Sequence, residues 1–267
     1  LHPIRAVAVT GSVGKTSTKA AIAHLLGNRY RVLQSTGNLN TEIGMPMVLL
    51  QLTEEHERMV LEMGMHRIGD ITLLCTIAQP SVGVVTNVGP THLERLGTIQ
   101  RIADAKAELP ASLSADGVAV LNYDDLLVRA MRQRTRARVL TYGAEAGADL
   151  RATAVRTYGL DGLGFTLQWE GQQREVRTPL IGRHNVYTAL AASAVGLTEG
   201  FSLDNVCDAL TRLPDSARVT VRHSRAGAMV LDDTYNASPA SVKAALDLLG
   251  DVPGRRVAVL ADMLELG

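Results

Sequence analysis

The stretch Ala6-Val7-Ala8-Val9-Thr10-Gly11-Ser12-Val13-Gly14-Lys15-Thr16-Ser17 decides the fold. A short apolar run ends at Thr10, a glycine loop follows, and a helical pattern of apolar positions continues to Leu26: strand, loop, helix. A phosphate cradle belongs at such a junction. Glycines let the backbone curl so that its N–H groups face one point, and the helix N-terminus adds positive potential there. Lys15 can reach terminal phosphates, and the Thr16 hydroxyl can hold Mg²⁺. The standard loop has a further glycine where Val9 stands, so the match is to a shorter Gly-x-x-Gly-Lys-Thr form. An ordinary glycine-rich turn is the bland alternative; ATP or GTP binding is the favoured reading.

Outward from this loop, strand-like and helical patterns alternate. Strands are expected at Arg31–Gln34, Arg58–Met63, Val82–Asn87, Val118–Leu121 and Val139–Tyr142. Helices are expected near Gly44–Leu52, Asp70–Ala78, Thr98–Leu109 and Asp125–Arg134. The alternation predicts an α/β fold: a mostly parallel sheet with helices on both faces. The pattern then changes to a small antiparallel section, Leu150–Tyr158, Gly164–Glu170 and Arg174–Arg177, with turn signals at Asp161-Gly162 and Glu170-Gly171. Helices at Asn185–Val195 and Asp204–Leu213 close a first domain over residues 1–213. Pro214-Asp215-Ser216 reads as a linker. A strand at Met229–Leu231, a helix at Pro239–Leu249 and a strand at Val257–Leu260 then open a second, Rossmann-like α/β domain over residues 214–267. The chain begins at Leu1 and stops at Gly267 just past a strand-like run, and is read as a fragment of a longer protein.

Composition bounds the rest. The 267 residues include 46% hydrophobic and 20% charged residues, ordinary for a globular chain and unlike a disordered one. Lys+Arg 27 against Asp+Glu 27 gives a formal charge of zero, so nothing argues for a nucleic-acid-coating surface. No apolar run approaches the roughly 18 residues of a membrane span, and no signal segment precedes the first strand. Cys75 and Cys207 form no CxxC pair, which disfavours a zinc site or disulfide scaffold and fits the cytoplasm. Only four of the 27 basic residues are lysines: Lys15, Lys19, Lys106 and Lys243. Each is worth a question, because an amine does chemistry that a guanidinium cannot. Lys19 and Lys243 are taken as helix-surface residues.

Charge also gathers at strand ends. Glu62 ends its strand in Leu61-Glu62-Met63-Gly64, and His92 lies in the loop Thr86-Asn87-Val88-Gly89-Pro90-Thr91-His92-Leu93-Glu94. Lys106 sits on the next helix. In an open parallel sheet, ligands bind beyond the C-terminal strand ends, so Glu62 and His92 should face the phosphate loop across one crevice. A carboxylate and an imidazole there suggest a further divalent cation. Taken singly, each also has a bland reading: Glu62 as a helix-capping or salt-bridged carboxylate, His92 as a backbone-bonded loop histidine and Lys106 as a solvated helix lysine.

These residues carry a family resemblance. Gly37-Asn38-Leu39-Asn40-Thr41-Glu42-Ile43-Gly44-Met45-Pro46, Glu62-Met63-Gly64, the Thr86–Glu94 string and Ala105-Lys106-Ala107-Glu108 resemble the Mur ligases. So do Gly182-Arg183-His184-Asn185, Asp232-Asp233-Thr234-Tyr235-Asn236-Ala237 and Ala258–Gly267. The resemblance implies a central ATP-binding domain followed by the start of a C-terminal domain. It implies an ATP-dependent ligase of peptidoglycan precursor synthesis that forms an amide through an acyl phosphate. The Glu-Met-Gly, Asp-Asp-x-Tyr-Asn-Ala and Asp-Met-Leu-Glu-Leu-Gly strings are most similar to the branch that joins D-alanyl-D-alanine to a UDP-N-acetylmuramoyl-tripeptide.

The roles implied are specific. Gly11, Ser12, Val13, Gly14, Lys15, Thr16 and Ser17 would hold the β- and γ-phosphates. Thr16 and Glu62 would bind one Mg²⁺; His92 and a carbamylated Lys106 would serve a second. Asn185 would contact adenine, Arg218 would approach the γ-phosphate and Asp233 would help hold the nucleotide. Lys15, His92, Lys106 and Arg218 would carry the catalysis, and a monomer is expected. Thr188, Ser238 and Ala261 depart from the family's usual asparagine, asparagine and glycine. Alternative readings are another Mur-type or folylpolyglutamate-type ligase, or a P-loop module without amide chemistry.

Overall fold

The computed structural model describes residues 4–214, 219–225, 227–234 and 236–263. Its strands are β1 (Arg5–Thr10), β2 (Val32–Gln34), β3 (Arg58–Glu62), β4 (Val82–Val85), β5 (Val118–Asn122), β6 (Arg138–Gly143), β7 (Leu150–Thr157), β8 (Leu163–Trp169) and β9 (Gln172–Thr178). They form one sheet in the order β2-β3-β1-β4-β5-β6-β7-β8-β9. Pairing is parallel from β2 to β7 and antiparallel through β7, β8 and β9. The helices are α1 (Lys15–Gly27), α2 (Gly44–Leu49), α3 (Asp70–Ala78), α4 (Leu93–Leu96), α5 (Ile99–Ser112), α6 (Leu126–Ala130), α7 (Val186–Thr198) and α8 (Leu203–Thr211). A separate antiparallel pair, β10 (Thr220–His223) and β11 (Met229–Asp232), precedes α9 (Pro239–Asp251).

The strands are apolar on both sides because both sides are covered. Val7 and Val9 pack with α1, α7 and α8 on one face; Ala6 and Ala8 pack with α2, α3 and α5 on the other. Tyr142, on β6, is fully buried, and burial pushes its hydroxyl pKa up; that hydroxyl donates to the Val85 carbonyl at 3.4 Å. Side-chain caps mark where helices begin. Thr98 accepts from Arg101 N, Asp125 from Leu127 N and Val128 N, and Ser202 from Asn205 N. Ser238 forms a capping box with Ser241 at the head of α9.

β1 is flanked by β3 and β4, so the chain leaves β1 toward one edge and later returns across it. This switch of direction opens a crevice at the C-terminal end of β1. Val9 is in register with Glu62 and Thr10 with Val85, which brings the end of β3 and the loop after β4 to either side of Gly11.

Three expectations change. Val257–Leu260 forms no strand: Val259 is 93% exposed, and no described residue pairs with it, so its backbone lacks the neighbour a ladder needs. The helix expected over Asp125–Arg134 is α6 followed by a 3₁₀ turn at Met131–Arg134. β10 and α4 were not anticipated. Of the linker Pro214-Asp215-Ser216, residues 215 and 216 lie outside the described residues.

Candidate active site

The loop after β1 is tied down on one side before any ligand is considered. Ser12 N donates to Asn87 O at 2.9 Å, and Val13 N donates to Asn87 Oδ1 at 2.9 Å. Asn87 Nδ2 and Thr86 Oγ1 each donate to Val13 O at 2.8 Å. Ser12 Oγ donates to Gly89 O and accepts from Gly89 N. The amide groups of Ser12 and Val13 therefore serve the loop's own anchoring, not the phosphate cradle expected of them. What remains for an anion is the first turn of α1 from Gly14 onward, whose leading N–H groups have no partner within the helix. Lys15 Nζ folds over this turn, donating to Gly11 O at 2.9 Å and Ser12 O at 3.2 Å.

One cavity of about 330 Å³ gathers the phosphate loop and the three charged residues singled out around it. Gly11, Ser12, Val13, Gly14, Lys15, Thr16, Ser17, Glu62, His92 and Lys106 all line it. Thr16 Oγ1 donates to Glu62 Oε2 at 2.8 Å, and Asn40 Nδ2 donates to Glu62 Oε1 at 3.0 Å. Glu62 is 4% exposed and is the sole acidic residue among the described residues lining this cavity. His92 adopts φ 59, a left-handed conformation unusual outside glycine. Asp125 helps set its loop: one carboxylate oxygen accepts from Val88 N at 2.8 Å while the other caps α6. The His66 ring stands edge-on to the His92 ring at 5.8 Å between centroids.

Lys106 is 2% exposed, on the inner side of α5. Burial holds its amine well below the usual lysine range, and the neighbouring Lys15 charge pushes the same way. It is not the solvated helix lysine that one reading allowed. Lys19 is a plain correction. It is 4% exposed, donates to Ser35 O at 2.6 Å and lies 4.0 Å from Glu62 Oε2. Burial lowers its pKa, opposed by the Glu62 charge. Lys19 is one helical turn beyond Lys15, on the same face of α1. Lys243 is a surface residue, paired with Asp247 at 2.8 Å.

A second cavity of about 340 Å³ lies beyond Gly14 and Ser17, lined by Asn87, Pro90, Tyr142, Asn185, Tyr187, Asp233 and Pro239 among others. Each is within the usual range for a ligand site. Asn185 lines it with both ends of its amide engaged: Nδ2 donates to Ile181 O at 2.7 Å and Oδ1 accepts from Thr188 Oγ1 at 3.1 Å. Arg218 lies outside the described residues. Asn40, Asn87, Asp125 and His66 were not singled out individually. Asn87 directly follows Thr86 at the end of a buried strand, which is where sequence offered a hint.

Only part of the donor set suits a divalent metal. Thr16 and Glu62 supply a hydroxyl and a carboxylate, hard oxygens suited to a Mg²⁺ that keeps its other positions for water and phosphate. His92 and an unmodified Lys106 amine do not suit Mg²⁺; a carbamate oxygen on Lys106 would. No group of three or more His, Cys, Asp and Glu side chains able to hold a metal occurs among the described residues. Nor is any described helix long and apolar enough to cross a membrane.

A Gly-x-x-Gly-Lys-Thr loop at the switch point of a parallel sheet, facing a buried carboxylate, defines a P-loop nucleotide-binding α/β protein. The chain belongs to the Mur ligase family: the Mur ligase middle domain matches residues 9–196. It is 40% identical to the UDP-N-acetylmuramoyl-tripeptide–D-alanyl-D-alanine ligase of Mycobacterium tuberculosis, over 98% of this chain and 53% of that protein. With the Bacillus subtilis enzyme of the same name it shares 38% identity, over 98% of this chain and 57% of that protein. The chain thus spans a little over half the length of these relatives. A crystal structure of MurF from Acinetobacter baumannii superposes with a TM-score of 0.93 at 33% identity, over 99% of this chain and 58% of that one. The MurF ligase of Thermotoga maritima, solved in complex with ADP, gives 0.88 at 34% identity, over 99% and 61%.

Proposed function

We propose that this chain is the nucleotide-binding part of a cytoplasmic, ATP-dependent ligase of peptidoglycan precursor synthesis, one that joins D-alanyl-D-alanine to a UDP-N-acetylmuramoyl-tripeptide. The observation that carries this is the single cavity in which the phosphate loop, Glu62, His92 and Lys106 meet. The relatives named above supply the substrate class.

A carboxylate is a poor electrophile, so the tripeptide's terminal carboxylate first takes the γ-phosphoryl group, releasing ADP. The amine of D-alanyl-D-alanine then attacks the acyl carbon, loses a proton and expels phosphate. Lys15 and the first turn of α1 hold the phosphate oxygens in place through both steps. Thr16 and Glu62 would hold one Mg²⁺, which when bound neutralises charge building on those oxygens. Lys106 is suited to modification because its burial favours the neutral amine. That amine can attack CO₂, lose a proton and become a carbamate anion, which with His92 would hold a second cation. Asn185 and Asp233 wall the neighbouring cavity for the nucleoside, and the family resemblance implies that Arg218 approaches the γ-phosphate. The monomeric state belongs to the same reading.

The test is ADP release by a chimera in which this chain replaces the matching segment of the Bacillus subtilis relative. ADP release is expected only when UDP-muramyl-tripeptide and D-alanyl-D-alanine are both present. ATP hydrolysis indifferent to the dipeptide would leave a P-loop module without amide chemistry.

A further inference from the structure

Lys19 is a buried cation that the chemistry above does not use. It sits one turn along α1 from Lys15. Its ammonium donates to Ser35 O at 2.6 Å and stands 4.0 Å from Glu62 Oε2, the oxygen that also accepts from Thr16 Oγ1. Ser35 in turn accepts the backbone N–H of Glu62 on its Oγ at 3.0 Å. The ammonium is thus fixed in place by the strand that carries Glu62 and by the end of β2. A carboxylate with 6% side-chain exposure needs a counter-charge, and Lys19, with 6% of its own side chain exposed, supplies one from inside the protein.

We propose that Lys19 is the resident counter-cation of Glu62, and that it makes divalent-metal binding at Thr16 and Glu62 conditional on nucleotide. The proposal rests on the reading of Glu62 as a metal-holding group. With Lys19 in place, Glu62 offers an incoming cation little net negative charge, and Lys15 and Lys19 both stand near the same cavity. The phosphate oxygens of a bound nucleotide supply the missing negative charge, so metal and nucleotide enter together. Protein without nucleotide is thereby kept from trapping a stray divalent ion.

The experiment measures Mn²⁺ uptake, as a stand-in for Mg²⁺, from the loss of the free-ion paramagnetic resonance signal, with and without ADP. The wild-type chain, Lys19→Met, Glu62→Gln and the double variant are compared. Wild type is expected to take up Mn²⁺ strongly only with ADP. Lys19→Met is expected to bind Mn²⁺ without nucleotide at least about tenfold more tightly than wild type, since the repulsion between a unit charge and a divalent ion about 4 Å away is twice that between unit charges and is worth that much even in a well-screened site. Adding Glu62→Gln should erase the gain. Lys19→Gln, which keeps a donor for Ser35 O while dropping the charge, gives the same comparison should Lys19→Met fail to fold. If the uncharged variants bind nucleotide-free Mn²⁺ no better than wild type while Mn²⁺–ADP uptake still depends on Glu62, the counter-cation role is wrong and the metal site stands. If Glu62→Gln leaves Mn²⁺–ADP uptake untouched, the metal-site reading itself falls and takes this proposal with it.

Discussion

Gly11 and Gly14 look interchangeable in the motif, yet the structure gives them different burdens. A Cβ on Gly11 would stand 1.9 Å from Thr86 Oγ1, 3.1 Å from Thr86 Cβ and 3.2 Å from Asn87 N, at φ +149. A Cβ on Gly14, at φ +84, would meet nothing within 4 Å. For Gly11→Ala the backbone conformation alone costs about 1–3 kcal/mol. Thr86 must also turn away, giving up its bond to Val13 O, worth about 1 kcal/mol. The expected loss is therefore about 2–4 kcal/mol for Gly11→Ala against about 1–2 kcal/mol for Gly14→Ala, which bears only the left-handed strain. Urea unfolding measures both, and ADP titration reports whether the loop has shifted. Thr86→Ala in the Gly11→Ala background removes the contacting oxygen and should return part of the stability, a non-additivity of about 1 kcal/mol. Equal losses for the two glycines, or strict additivity with Thr86→Ala, would refute the steric reasoning.

Three further outcomes are expected. Lys106→Met should raise stability at neutral pH while abolishing any effect of bicarbonate on nucleotide-driven turnover. The unfolded chain binds a proton there that the folded chain refuses, so wild-type stability rises with pH toward the ordinary lysine range near 10.4, and the variant's advantage in urea should shrink as pH climbs. Asp125→Ala should cost about 2–3 kcal/mol, combining a lost helix cap with an unpartnered Val88 N–H, and should weaken ADP binding by loosening the His92 loop. Asp125→Asn, which keeps an accepting oxygen, should recover roughly half of that. Glu199 has a 1% exposed side chain, with Arg58 Nε at 2.6 Å and the half-exposed Arg5 at 3.4 Å. Glu199→Ala should cost about 3–5 kcal/mol by stranding the Arg58 charge, whereas Arg5→Met should cost under about 1 kcal/mol.

Legibility in the sequence followed the physics of each feature. The run from Ala6 to Ser17 announced a strand, a turn and a helix start because apolar periodicity and glycine placement are local properties. The meeting of Glu62 and His92 with that loop was also foreseeable, since strand ends in a parallel sheet share one edge, whereas Lys106, in the middle of a helix, was pointed to only by the family resemblance. The burial of Lys19 was not foreseen, because a lysine on a helix is usually solvated; only the position of β2 and β3 over that face reveals otherwise. Nor did the motif tell which amides of the loop stay available. Ser12 and Val13 bond to Asn87, some 74 residues away along the chain, and no local pattern encodes such a partner. Val257–Leu260 shows the converse limit: β-branched composition proposes a strand, but only a neighbour makes one.

The stitching of the glycine loop to Thr86, Asn87 and Gly89 has a thermodynamic corollary. A receptor already frozen into its binding shape surrenders little chain freedom at capture, so the penalty for ordering falls almost wholly on the incoming polyphosphate.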